Sequence, residues 1–367
     1  MPQIAYVPSA GDAKLLPADD PGDPAPDEVL VRTIRVGFCG TDREIIQGHI
    51  AVLPEGADSL VLGHEMVAQV VSVGAEAAGV VPGQLVVATV RRPCGKCAPC
   101  DRGRSDFCLT GEYLEYGITR LDGFARPAIA LPAHMVVPVK DSLVTMAVLA
   151  EPLSIVEKAL EQARYVLMRI PGLLGDEPLW GKGHSALVAG AGPIGLLSTY
   201  LLTQQGFEVE VIDVRPPDGL APSLVAAAGA TYAQVRRDRP DLAAAERRPA
   251  QLVIEATGDP VLAFELLRTL RPGGVLVWIG VGDPKCRAAI DAGSSVLRAV
   301  LGHQAVVATI NSARVHFEQA VSDLALLAER PRFSEMITAV VPPENFAEAI
   351  WPAGDAIKQV VAFSDPL

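Results

Sequence analysis

The sequence predicts a two-domain α/β protein, in which a mostly antiparallel β domain with long loops accompanies a doubly wound parallel sheet. Three observations predict it. Short β-rich runs separated by Pro and Gly fill the chain up to about residue 147, whereas strand-like and helix-like runs alternate from about 165 to 305. Between the first strand and helix of that second region stands Gly190-x-Gly192-x-x-Gly195, a glycine turn in the strand-to-helix position. At 367 residues the chain is also too long for one ordinary core and suits two.

Composition narrows the partners. Half of the residues are hydrophobic and a fifth are charged, the balance of a folded protein. A net charge of −12 opposes a nucleic-acid partner, because phosphate binding runs on clustered Lys and Arg. Basic pairs such as Arg91-Arg92 and Arg247-Arg248 are too short to alter that. The opening Met-Pro-Gln-Ile-Ala lacks a basic stretch followed by an apolar core, so no secretory signal is expected. No apolar run approaches the roughly 20 residues a bilayer span needs. A cytoplasmic protein with no membrane partner is the expectation.

Taken in order, Ile4–Val7 and Glu28–Val36 read as strands between Pro- and Gly-laden turns, and Val61 to Gly74 and Leu85 to Val90 continue the pattern. From Ala147 to Ala163 apolar residues fall at helical spacing, which marks the domain junction. A loop over Pro171 to Gly183 leads to the buried strand Ser185–Ala189, the glycine turn, and an apolar helix from Leu196 to Gln205. Phe207–Asp213 is the next strand and ends in an acid. Gln251–Gly258 and Gly274–Gly280 are later strands of the same kind, and Ala243–Arg248 is expected to be an exposed helix. The tail from about 306 returns to mixed structure and closes with Gln359–Phe363.

The chemistry-bearing residues form three sets. Cys94, Cys97, Cys100 and Cys108 supply four of the six cysteines in one loop, with C-x2-C-x2-C-x7-C spacing. Clustered thiols without a secretory signal read as metal ligands, and four thiolates close a tetrahedron around one zinc, leaving no position for substrate. This site is therefore structural. The second set is Cys39, His64 and Glu65, with Glu151 ahead of Pro152 at the domain junction. A catalytic zinc keeps about three protein ligands and an exchangeable position. Glu151 is either the fourth ligand or an ordinary helix-start carboxylate. The third set is nucleotide-binding. Gly192 lets backbone approach a pyrophosphate at a helix N-terminus, and Gly195 lets helix and sheet pack closely. Pro193 and Ile194 fill the same turn, while Thr257 and Gly280 close later strands. Asp213 can accept from both ribose hydroxyls and repels a 2′-phosphate, favouring NAD; Arg215 pulls the other way and admits NADP.

With these residues in place, the chain resembles the zinc-dependent medium-chain alcohol dehydrogenases over nearly its whole length. Within them it is most similar to the microbial glucose dehydrogenases of the archaeal type. The stretches that carry the likeness are Cys39-Gly-Thr-Asp-Arg-Glu-Ile, Leu62-Gly-His-Glu, Arg91-Arg-Pro-Cys-Gly-Lys-Cys and Asp106-Phe-Cys-Leu-Thr-Gly-Glu-Tyr. Further on come Asp122-Gly-Phe, Leu149-Ala-Glu-Pro-Leu, Gly192-Pro-Ile-Gly and Ile310-Asn-Ser-Ala-Arg-Val-His-Phe-Glu-Gln-Ala-Val.

The resemblance implies a GroES-like catalytic domain built from both chain ends, residues 1–164 and 306–367, with a Rossmann domain inserted at 165–305. It implies a homo-oligomer, dimer or tetramer. It also gives roles: Cys39, His64 and Glu65 hold the catalytic zinc with Glu151 direct or through water, Thr41 relays the alcohol proton, Glu115 binds sugar hydroxyls, and Asn311 lies near nicotinamide and substrate. The plainer readings beside these are Thr41 as a turn cap and Glu115 as a loop acid. Where the glucose enzymes place polar sugar contacts, this chain has Val90, Ile155 and Leu301, with His303 close by. An unmade buried hydrogen bond costs roughly 1–3 kcal/mol, so these replacements weigh against glucose itself. The expected activity is NAD(P)-linked oxidation of a secondary or hemiacetal alcohol of a sugar or polyol. Two alternatives stand beside it: a biosynthetic dehydrogenase acting on a cyclitol or aminosugar, and a non-catalytic nucleotide- and zinc-binding redox sensor.

Overall fold

The computed structural model describes residues 1–174, 179–238 and 247–365. The expected helix at Ala243–Arg248 falls mostly outside these described residues. The chain divides into two compact units. The first comprises Met1–Ser154, Asn311–Ala328 and Met336–Leu367, so both chain ends build it; the second comprises Ile155–Ile310 and Glu329–Glu335. The break at 154/155 falls inside the helix Ala150–Leu167, ten residues before the expected boundary. A helix keeps its hydrogen bonds across such a point while its packing partners change.

The first unit is built on a seven-stranded sheet. Its central strand, Glu28–Gly37, buries every second side chain at its start. On one side it pairs antiparallel with Glu65–Val73, and on the other with Lys358–Ala362 from the far end of the chain. Leu85–Ala88 and Val136–Val139 extend one edge, and Ile337–Val341 extends the other by parallel pairing. A smaller sheet joins Asp12–Pro17, Pro2–Val7 and Leu60–Val61. Ile4, Val29, Val31, Leu62, Met66, Phe124 and Ile350 are buried in one core between these layers.

The second unit is a six-stranded, wholly parallel sheet. Spatial order is Thr231–Gln234, Glu208–Asp213, Ser185–Ala189, Ala250–Glu255, Leu270–Trp278 and Ala305–Ala308, which numbered along the chain reads 3-2-1-4-5-6. That is the doubly wound arrangement, whose strand order reverses between Ser185–Ala189 and Ala250–Glu255. Ligands bind in the crevice beyond the carboxyl ends at such a reversal. The short strands Thr231–Gln234 and Ala305–Ala308 had no distinctive sequence run, being brief and at the sheet edges.

Candidate metal centres and nucleotide site

Cys39 is the N-cap of the helix Gly40–Ile46, and its Sγ accepts the Thr41 N–H at 3.3 Å. One carboxylate fixes both neighbouring loops: Asp42, fully buried, accepts the Cys39 N–H at 2.9 Å and the Gly63 N–H at 3.2 Å. Gly63 has φ +80, and a Cβ there would meet the Val36 side chain at 2.5 Å, so only glycine turns the chain this tightly. His64 follows, with Nε2 at 3.2 Å from Cys39 Sγ and Nδ1 at 3.7 Å from Asp42 Oδ1. Glu65 opens the strand Glu65–Val73 opposite Gly37, whose missing side chain leaves room for the Glu65 carboxylate.

The Sγ of Cys39, a ring nitrogen of His64 and an oxygen of Glu65 lie within 4.8 Å of one another. One thiol, one imidazole and one carboxylate around a common point are the donor types zinc takes. The chemistry of this donor set fits the metal. Burial disfavours a charged His64, but Cys39 and Asp42 outweigh it and hold its pKa well above the ordinary value. Glu151 is the second residue of Ala150–Leu167 and does not belong to this compact group. Burial is the main cause that raises its carboxyl to about 7, with His64 opposing and Glu65 adding. Lys358, which sequence reading passed over, donates to both Glu65 oxygens at 2.7 and 2.8 Å and to Phe38 O at 3.1 Å. The signal was there: a lone lysine inside the apolar run Ile357–Phe363 needs a buried partner.

The four loop cysteines also converge within 4.8 Å. Cys94 Sγ lies 3.6 Å from Cys97 Sγ and 3.7 Å from Cys100 Sγ. Bonds of about 2.3 Å to a tetrahedral zinc imply sulfur separations of about 3.8 Å, so the loop is already shaped for the ion. The thiols are unequal without it. Burial pushes Cys100 up to about 12; at Cys108 burial is outweighed by hydrogen bonds at Thr110, which bring it down to about 6.

Past the last of these cysteines, Glu115 is buried in the strand Leu114–Tyr116. Its Oε1 accepts Arg91 Nε and Nη2 at 3.0 and 2.8 Å, and also the Asn311 amide; Oε2 accepts the Thr119 hydroxyl at 3.2 Å. The two residues expected to meet substrate, Glu115 and Asn311, are thus brought together from positions far apart in the chain. Asn311 has φ +62, a conformation asparagine tolerates better than most residues. Val90 is buried, whereas Leu301 is 71% exposed.

In the second unit the helix Pro193–Gln204 begins at the N-cap Gly192, with Pro193 and Ile194 in its first turn. Gly195 packs on the carbonyl of Gly190, which has φ +104. A cavity of about 910 Å³ is lined by Gly190, Gly192, Asp213, Arg215, Thr257, Arg236, Arg237 and Arg287, among others. Gly280 borders a smaller neighbouring one of about 210 Å³. Asp213 braces the glycine turn: Oδ2 accepts the Ala191 N–H at 2.6 Å and Arg215 Nη1 at 3.2 Å, while Oδ1 accepts the Arg215 N–H at 2.9 Å. The glycine-lined N-terminus, an acid beside it and several arginines suit an anionic dinucleotide.

Comparison with known proteins gives two family matches that together span most of the chain. Residues 25–141 match the alcohol dehydrogenase GroES-like domain, and residues 144–363 match the glucose dehydrogenase C-terminus. Glucose 1-dehydrogenase of Thermoproteus tenax is 39% identical over 342 residues, 92% of each chain. Glucose 1-dehydrogenase 1 of Caldivirga maquilingensis is 36% identical over 98% of each chain. The solved structure of Haloferax mediterranei glucose dehydrogenase in complex with NADP, Zn and gluconolactone matches all of both chains, with a TM-score of 0.88 and 30% identity.

Proposed function

The chain belongs to the glucose dehydrogenase family of GroES-like zinc-dependent alcohol dehydrogenases, and from that premise we propose how its residues oxidise a sugar. It is a zinc-dependent, NAD(P)-linked dehydrogenase acting on a sugar or related alcohol. The observation that carries the residue assignment is the convergence of Cys39, His64 and Glu65 within 4.8 Å, beside a second group of four thiols.

Cys39, His64 and Glu65 would hold the catalytic zinc, with Glu151 joining directly or through water, and Cys94, Cys97, Cys100 and Cys108 the structural one. When bound, zinc supplies the Lewis acidity that lowers the pKa of a substrate hydroxyl, and the nicotinamide supplies the hydride acceptor. Asp42 holds the Cys39 and His64 loops in register. Thr41, next to Cys39, carries the hydroxyl proton outward, since its own hydroxyl both accepts and donates. Glu115 accepts from sugar hydroxyls and Asn311 orients the same substrate. In the other unit, Gly190, Gly192, Pro193, Ile194 and Gly195 cradle the pyrophosphate, with Thr257 and Gly280 lining the cofactor's path.

For the cofactor we propose NAD as preferred and NADP as accepted. Asp213 beside the glycine turn opposes a 2′-phosphate, while Arg215, Arg236 and Arg237 on the same cavity tolerate one. For the substrate, a sugar, cyclitol or related polyol fits best. The buried apolar Val90 weighs against glucose itself, and a cyclitol or aminosugar of a biosynthetic reaction stands as the second reading. Among the described residues no helix is long and apolar enough to cross a membrane. A cytoplasmic homo-oligomer, dimer or tetramer, suits six unpaired cysteines and the apolar face of Ala292–Leu301, where Val296, Leu297, Val300 and Leu301 are all more than 60% exposed. The decisive experiment is a turnover screen of aldoses, inositols, aminosugars and simple alcohols with NAD and with NADP, on wild type and Cys39→Ser. Turnover of a polyhydroxylated substrate that collapses in Cys39→Ser is expected. Full activity of Cys39→Ser, or of protein with no zinc bound, would overturn the zinc assignment, whereas a wild type that turns over none of these substrates would favour the non-catalytic sensor reading.

A further inference from the structure

Glu115 is expected to meet the sugar, yet its carboxylate is already heavily committed. Among the described residues, Oε1 takes three N–H donors, two from Arg91 and one from Asn311, whereas Oε2 takes only the Thr119 hydroxyl. A carboxylate offers about four acceptor positions over its two oxygens. Oε1 is therefore saturated, and spare capacity remains on Oε2.

Arg91 is a planar fork locked on three sides. Both it and Glu115 have side chains only 9% exposed. Its guanidinium carbon stands 3.7 Å over the Tyr113 ring. Its remaining nitrogen, Nη1, points to the carbonyl oxygens of Ser105 and Asp106, each at 3.4 Å. Those carbonyls belong to the cysteine loop, separated from Cys108 by Phe107. The antiparallel pairing of Arg91-Arg92 with Leu114-Glu115 places Arg91 directly opposite Glu115. One side chain thus joins the Cys94–Cys108 loop to the carboxylate beyond it.

We infer that Arg91 is a positioning residue for substrate recognition: it fixes one oxygen of Glu115, aims the other at a substrate hydroxyl, and ties that aim to the cysteine loop. This rests on the reading of Glu115 as a sugar ligand. The pairing is suited to the task because a fork-to-carboxylate contact fixes orientation as well as charge, which a lysine point charge does not. Nε and Nη2 hold the carboxylate, and Nη1 carries the link to the loop. The cysteine loop then contributes to affinity for substrate without touching it.

The test uses the whole, zinc-loaded protein with D-glucose, or with whichever aldose or polyol wild type turns over best. Arg91→Met, Arg91→Lys, Glu115→Gln and the double variant Arg91→Met/Glu115→Gln are compared by KM for the sugar, kcat, cofactor Kd and zinc per chain. Arg91→Met is expected to raise the sugar KM at least tenfold, with cofactor Kd and two zinc ions per chain unchanged. Arg91→Lys should fall between it and wild type. Because Arg91 acts through Glu115, the double variant should be no worse than Glu115→Gln alone. An unchanged KM in Arg91→Met beside a raised KM in Glu115→Gln overturns the inference and leaves the role of Glu115 intact. An unchanged KM in Glu115→Gln overturns that role itself. Loss of a zinc ion, or losses that add in the double variant, would make Arg91 a brace of the fold only. If Arg91→Met fails to fold, Arg91→Lys decides the matter: a raised KM at full zinc content supports the inference, and a wild-type KM sinks it.

Discussion

Lys358 Nζ donates to both carboxylate oxygens of Glu65, at 2.7 and 2.8 Å, and neither side chain is more than 2% exposed. A buried ion pair adds little net stability when both partners are present, but removing one leaves the other charge uncompensated. Lys358→Met should therefore destabilise the protein by about 3–5 kcal/mol, and Lys358→Met/Glu65→Leu by distinctly less. Urea unfolding of the two variants checks this. A single variant as stable as wild type would mean that Glu65 does not depend on Lys358 for its charge balance.

Two glycines of the nucleotide turn should respond to alanine in opposite ways. At Gly195 a Cβ would collide with the Gly190 carbonyl, whereas at Gly192 it would meet nothing within 4 Å among the described residues. Gly195→Ala should lower the melting temperature by several degrees. Gly192→Ala should melt like wild type yet bind NAD or NADP at least tenfold more weakly, because its methyl occupies the approach of the pyrophosphate. Calorimetry and cofactor titration separate the two. Equal behaviour of both variants would contradict the separate roles.

Much of this was legible in the sequence, for identifiable reasons. The parallel sheet announced itself because buried strands read as continuous apolar runs and the glycine turn fixes the first strand-to-helix step. The two convergent groups, the four loop cysteines and Cys39 with His64 and Glu65, were legible because residue types that can ligate a metal recur there in a suggestive order. What stayed hidden was pairwise and long-range. Lys358 reaches Glu65 only because the last strand, Lys358–Ala362, docks beside Glu28–Gly37, and no local pattern encodes that neighbour. Arg91 and Glu115 meet by antiparallel register, and Asn311 joins them from 196 positions away. The strand-end position of Asp213 marks it as a ribose acceptor, whereas its acceptance of the Ala191 N–H depends on two loops meeting, which no local pattern encodes.

Asp213 supplies the third prediction. On the proposed cofactor reading its carboxylate would oppose a 2′-phosphate, and it holds Arg215 by an ion pair at 3.2 Å. In Asp213→Asn the single amide oxygen can still accept the Ala191 N–H, while the bond from the Arg215 N–H and the ion pair are lost, so the Arg215 guanidinium is freed to meet a phosphate. The ratio of kcat/KM for NADP to that for NAD should rise at least tenfold. Initial rates with both cofactors measure it. An unchanged ratio would remove Asp213 from cofactor choice.

Glu151 supplies the last, through pH. In the metal-free protein burial raises its carboxyl from 4.5 to about 7, with His64 and Lys358 opposing and Glu65 and Asp42 adding. Between those values the folded chain keeps a proton that the unfolded chain releases. The folded state is then favoured most below pH 4.5, and that contribution is lost as pH rises through about 7. Glu151→Gln cannot ionise and escapes this loss. In metal-stripped protein the melting temperature of Glu151→Gln minus that of wild type should therefore climb by several degrees from pH 5 to pH 7.5. Adding zinc back should shrink or reverse the difference, since a nearby cation favours the ionised carboxylate. Parallel melting curves across this range would show that Glu151 ionises as freely as a surface acid. A difference that zinc leaves untouched would place Glu151 outside the metal's reach, whichever way the metal-free curves run.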